Sequence, residues 1–144
     1  MTVCWAQGAF SREGQAVRAA RDFAADVLAR WGLPEGLRDE VRMCVSEAAT
    51  NAVLHTTATA ATTVFEVTLD LLRTESELRV HVGDGDPDRV PVATRPELED
   101  TSGRGLLLIK SMAHDFTVTR TRRGKTVSFS FGIPQPRRIP GAAR

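Results

Sequence analysis

The stretch SEAATNAVLH, residues 46–55, decides how this chain is read. Its alanines and leucine suit a helix, yet it carries Glu47, Asn51 and His55, each four residues from the next. At about 100° per residue, that spacing keeps all three near one side of a helix. Traced upstream, the helix is expected from Pro34 to His55, with Leu37, Val41, Cys44, Val45, Ala48 and Ala52 in one apolar stripe. Asn51 and His55 project within that stripe and Glu47 lies at its border, while Arg38, Asp39 and Arg42 take the solvent side. Burying an amide or a carboxylate without a partner costs on the order of a few kcal/mol. The pattern therefore asks for something that satisfies these groups: neighbouring backbone, water at a helix edge, or a ligand.

The flanking sequence supplies the rest of the architecture. A short edge strand is expected over residues 3–10. A first helix follows from Glu13 to Trp31, where Val17, Ala20, Phe23, Ala24, Val27 and Leu28 recur at helical spacing. WGLPEG then breaks it, with Gly32 suited to a C-terminal cap and Pro34 to the first turn of the next helix. TTVFEVTLDLL and ELRVHVGDG, joined by RTES, predict a β-hairpin. An irregular stretch runs from Pro87 to Ser102, and GRGLLLIKSMAHDF offers glycines ahead of an apolar helix. FTVTRTRRGKTVSFSFGI reads as a second hairpin turning at RRGK, and residues 134–144 form a basic tail. The order α-α-β-β-loop-α-β-β predicts an α+β fold, a two-layer sandwich with helices on one face of a mixed, mostly antiparallel sheet.

With 144 residues, the chain suits one domain, residues 1–144 with a core over about 10–133. The content, 42% hydrophobic and 26% charged, is that of a globular protein, and a net charge of +1 gives no electrostatic reason for direct nucleic-acid or membrane binding. The N-terminus lacks a basic start followed by an apolar run, so a cytoplasmic location is expected. Cys4 and Cys44 have no metal-like spacing and read as reduced thiols. Only Lys110 and Lys125 are lysines against 17 arginines, a bias that makes any single arginine poor evidence of a site.

Three constellations carry chemistry. On the helix, Asn51 could give a side-chain oxygen to Mg²⁺, which favours oxygen ligands and keeps waters and phosphates in its shell. Glu47, one turn away, could accept a proton from a nucleophile attacking a γ-phosphate. His55 suits packing near the helix C-terminus. In VHVGDGDP the strand is expected to end at Val82, with Gly83, Asp84 and Gly85 turning to present a carboxylate that can accept a hydrogen bond from an adenine amino group. In SGRGLLLIK, Gly103 and Gly105 let the backbone approach a ligand, and a helix opening at Gly105 offers N–H groups to phosphate. Each alone is also an ordinary helix, turn or glycine cap.

Their order is more informative. EAATNAVLH, DGDP at a strand end and GRGLLLI resemble the N box and two glycine boxes of the Bergerat-type (GHKL) ATPases, over almost the whole chain. The wording of the N box is most similar to the anti-sigma-factor serine-protein kinases. That resemblance implies an ATP and Mg²⁺ site in which Glu47 is the catalytic base and Asn51 the metal ligand. It implies Asp84 and Gly85 on the adenine side, Gly103, Arg104 and Gly105 on a lid beside the phosphates, and Thr126 supporting adenine through a water. It further implies phosphorylation of a serine on an anti-anti-sigma antagonist, sequestration of a sigma factor, and room for a homodimer. The chain departs from the family's D-x-G-x-G box, because Asp86 and Asp88 stand where glycines are usual and Pro87 lies between them. The lid of residues 88–102 is also short. These departures raise an alternative, a non-catalytic regulatory binding module of the same fold. The ATPase half of a histidine kinase and a gyrase-like role rank below both.

Overall fold

The computed structural model describes residues 3–54, 64–84, 93–94, 103–120 and 125–134. Strand β1 (Val3–Ser11) leads into helix α1 (Gly14–Arg30) and helix α2 (Glu35–Leu54). Strand β2 (Val64–Leu72), a single 3-10 turn and strand β3 (Glu77–Asp84) follow. The two-residue strand β4 (Ala93–Thr94), helix α3 (Gly103–Met112), and strands β5 (Asp115–Arg120) and β6 (Lys125–Gly132) complete the order. One six-stranded sheet runs β1-β2-β3-β6-β5-β4, antiparallel at every described pairing. The expected two-layer α+β sandwich is present. Its sheet is more uniformly antiparallel than the mixed sheet expected, and β4 lies within the stretch expected to be irregular.

Alternation builds the core. On β2, Phe65, Val67, Leu69 and Leu71 are buried and the residues between them are only partly covered. Leu78, Val80 and Val82 continue that face on β3, and Val127, Phe129 and Phe131 on β6. Ala20, Ala24, Val27 and Leu28 of α1 and Val41, Cys44, Val45 and Ala48 of α2 close over it. Small residues let α1 and α2 lie close together, and area burial at about 25 cal/mol per Å² supplies most of the drive. At one corner Phe10 packs edge-on to Phe23 with centroids 5.7 Å apart and tilted against Phe65 at 5.6 Å, which ties β1, α1 and β2 together.

The break between the helices forms as expected. Gly32 adopts φ +75, its N–H bonds Ala29 O at 3.0 Å, and the Leu33 N–H bonds Leu28 O at 3.1 Å. That paired arrangement is a Schellman cap, and glycine enters the left-handed region without a Cβ penalty. Arg73 donates from Nη2 to Trp31 O at 3.0 Å, and the Ile133 N–H bonds Ser76 O at 2.9 Å. The helix break, the β2–β3 turn and the end of β6 are thereby fastened at one end of the sandwich. Among the described residues no helix is long and apolar enough to cross a membrane.

Candidate functional site

The opposite end holds Asn51, Asp84 and Thr126. The sheet register brings the start of β2, the end of β3 and the start of β6 side by side, because Phe65 pairs with Asp84 and Gly83 with both Glu66 and Thr126. The C-terminal turn of α2 also belongs to this end. Arg12, just beyond β1, donates from Nη1 to Ala52 O at 2.9 Å and so satisfies a carbonyl that the helix end leaves open.

Within α2 the predicted side chains separate by exposure. Asn51 is 3% exposed, one of two buried polar residues in the described core, while Glu47 keeps partial exposure at the border of the apolar stripe. The hydroxyl of Thr50 donates back to Ser46 O at 2.8 Å, a local bond common for threonine inside a helix. Cys44 lies beneath Glu47, and burial, with the charges of Glu40 and Glu47, pushes its thiol pKa from 9.0 to about 12. It is a packed hydrophobe whose S–H reaches Met112 Sδ at 3.9 Å, joining α2 to α3.

On the sheet, β3 continues through Asp84 instead of stopping at Val82, so Gly83 and Asp84 belong to the ladder and not to a turn. Antiparallel pairing on both sides, with β2 and β6, holds them extended. Gly83 has a specific reason to be glycine. A Cβ built there would overlap Thr126 Oγ1 and lie 2.9 Å from Thr126 Cβ and 3.1 Å from its Cα. Carbon atoms pack at about 3.5–4.0 Å, so the threonine occupies space that any other residue at 83 would need. A glycine inside a strand is the sequence signal for such a close approach; motif reading gave Gly83 to a turn, whereas its place in the ladder is set by Thr126. Arg12 had no comparable signal, because its role depends on a contact with residue 52.

Helix α3 begins at Gly103, two residues earlier than the expected Gly105, so Gly103, Arg104 and Gly105 form its first turn. The N–H groups of a first turn have no partner within the helix and favour anions. α3 ends at Met112, and after two intervening residues β5 starts at Asp115 opposite Ser130, toward the fastened end. Helix α3 spans ten residues, about 15 Å, and its C-terminal residue Met112 meets Cys44 of α2. Gly85 and His55 lie outside the described residues.

The sequence model of the histidine kinase-like ATPase domain matches residues 10–131. The chain belongs to this family. Among solved structures, this histidine kinase-like ATPase domain is similar to the RsbU and RsbW domains of Rv1364c from Mycobacterium tuberculosis, with a TM-score of 0.72 and 19% identity. The match covers 94% of this chain and 34% of that one, so the domain spans about a third of the similar protein's length. At that identity the likeness speaks to the fold. No curated protein sequence matches the chain.

The residues present fit a magnesium nucleotide. Asn51 offers a hard, neutral oxygen in a nearly dry setting, and Mg²⁺ takes few protein ligands beside phosphates and water. The register sets Thr126 opposite Gly83, the residue before Asp84 on β3.

Proposed function

We propose that this domain binds ATP with Mg²⁺ at the end of the sandwich holding Asn51 and Asp84, with the first turn of α3 serving the phosphates, and acts as a protein serine kinase in the manner of anti-sigma factors. The observation that carries the reading is the buried Asn51 amide in the last turn of α2, one turn from the partly exposed Glu47, in a chain matched over residues 10–131 by the histidine kinase-like ATPase domain. The likeness to a structure of RsbU and RsbW domains from Mycobacterium tuberculosis supports the fold on which this reading rests.

Bound magnesium nucleotide would supply an electrophilic γ-phosphorus with its charge partly neutralised. Asn51 Oδ1 would ligate the metal. Asp84 would accept from the adenine amino group, with Gly85 and Thr126 beside the base. Gly103, Arg104 and Gly105 would lie beside the phosphates, where first-turn N–H groups favour anions. A Glu47 carboxylate oxygen would take the proton from the attacking serine hydroxyl of an anti-anti-sigma partner, and its partial exposure leaves it reachable from a docked protein. Without that partner the domain would hold a sigma factor, in the cytoplasm, as a monomer or a homodimer.

The test is direct. Glu47→Ala should abolish phosphotransfer to the partner while ATP binding in Mg²⁺ stays within about threefold, since a proton acceptor acts in the transition state. Unchanged phosphotransfer would remove Glu47 from the mechanism. A second reading has its own observation: Asp86, Pro87 and Asp88 replace the flexible, uncharged residues usual after the adenine-side aspartate. On that reading the domain is a non-catalytic regulatory module, and calorimetry with millimolar ATP and Mg²⁺ would be silent.

A further inference from the structure

The sheet face turned away from the helices carries a second constellation, independent of the nucleotide reading. The register sets Arg79 and His81 of β3 opposite Ser130 and Ser128 of β6, and these opposite Asp115 and Thr117 of β5, with Glu77 two residues before Arg79 on the same face of β3. Together they line an open cleft of about 240 Å³.

Ser130 is the telling residue. It is 5% exposed, lines this cleft, and its Oγ has no hydrogen-bond partner among the described residues. Polar groups this deeply covered are rarely left unsatisfied, and a ligand is one way to satisfy them. Beside it, His81 Nδ1 lies 2.8 Å from Ser128 Oγ and His81 Nε2 lies 3.6 Å from an Asp70 carboxylate oxygen. The carboxylate favours the ring proton on Nε2, so Nδ1 accepts from the Ser128 hydroxyl and the Ser128 lone pairs are left for a donor. Serine, histidine and aspartate in this order resemble an acyl-transfer triad. However, β3 and β6 lie in the sheet interior, where the ladder engages their N–H groups and leaves no oxyanion donors. The arrangement suits binding, not hydrolysis.

The charge around the cleft selects the ligand. Arg79 is committed, with Nε at 3.2 Å and Nη2 at 3.1 Å from Glu77 Oε1, and Nη2 at 3.3 Å from Glu75 Oε2. Among the described residues that line the cleft, the carboxylates Glu77 and Asp115 stand against the single guanidinium of Arg79, and Asp115 is exposed at the cleft's edge. A pocket of lone pairs and carboxylates suits a group that only donates. We propose that this cleft binds a guanidinium or alkylammonium cation, whose N–H groups donate to Ser130 Oγ, Ser128 Oγ and the Asp115 carboxylate.

The experiment is calorimetric titration of the full chain at low salt with two probes: agmatine as a free cation, and a short Gly-Arg-Gly amide as a protein side chain. Saturable binding by either, with Ser130→Ala and Asp115→Asn each weakening it about tenfold, is the expected result. Tighter agmatine binding would identify a free cation as the source, and tighter peptide binding a basic side chain of another protein. Both substitutions should leave the melting temperature without ligand unchanged, because Ser130 Oγ makes no described bond and asparagine can still accept from the Phe116 N–H at position 115. A neutral amide of similar length should not bind. No saturation by either probe at 20 mM (roughly the weakest binding still called specific), or affinity indifferent to both substitutions, would overturn the proposal.

Discussion

Replacing Gly83 by alanine tests the tightest contact described between the two hairpins. The added Cβ would stand 2.9 Å from Thr126 Cβ and 3.1 Å from its Cα, and would overlap Oγ1. Restoring ordinary carbon contact requires β3 and β6 to move apart by roughly half an ångström or more locally. Hydrogen bonds to β2 on the far side of β3 resist that movement. Overpacking of this kind costs about 1–3 kcal/mol, which for a chain of this length lowers the melting temperature by about 3–10 °C. A steric cause makes a sharper prediction. Thr126→Gly alone should cost about 1 kcal/mol as a strand glycine. The exchanged pair, Gly83→Ala with Thr126→Gly, should be more stable than the sum of the single effects by about 1–2 kcal/mol. Urea unfolding of the parent, both single variants and the pair measures this coupling. A Gly83→Ala protein as stable as the parent, or strict additivity in the pair, would refute the reasoning.

Other perturbations probe separate links. Arg12→Met should cost about 1–3 kcal/mol in urea unfolding, because it removes a charged donor from Ala52 O at the end of α2. Arg12→Lys should recover part of that loss, and a neutral Arg12→Met would show that the helix end needs no such cap. Phe65→Ala should cost about 3–5 kcal/mol, since Phe65 is fully buried against Phe10; a value under 1 kcal/mol would contradict the packing. Cys44 supplies a pH signature. With its thiol pKa pushed up to about 12 by burial and by Glu40 and Glu47, the unfolded chain loses that proton first as pH climbs past 9. Its contribution to stability is complete below about pH 9 and declines as pH rises toward 12. The chain has no tyrosine and two lysines to confuse this alkaline range. Cys44→Ala should flatten the decline in denaturation measured from pH 8 to pH 11, and an unaltered slope would exclude the thiol as its source.

Local features were legible in the residues and long-range ones were not. The two long helices, both hairpins and the Gly32 cap follow from periodicity and turn chemistry, which act within a few residues. Asn51 could be placed inside the apolar stripe of α2, and it is buried. Glu47 could be placed at the border, and it is partly exposed. The neighbour of β3 could not be read. That neighbour is β6, reached across α3 and β5, and register between distant strands leaves no local pattern beyond alternation. For the same reason the strand was expected to stop at Val82, because Gly83 and Asp84 look like turn residues until β2 and β6 hold them on both sides. The Arg12 contact with Ala52 and the polar cluster around Ser130 also join residues far apart in sequence.

The seam between β3 and β6 also bears on how the molecule is made. The N-terminal strands emerge first, and β3 presents an open edge rich in Leu78, Val80 and Val82 until its partner arrives. Glu77 waits for Gly132 and Gly83 for Thr126, an interval of roughly 50 residues, or several seconds at ribosomal speed. During that interval the half-built sheet is a template for any passing strand. Charged side chains such as Glu77 and Arg79 on that edge are of the kind that blunt an open strand against wrong partners.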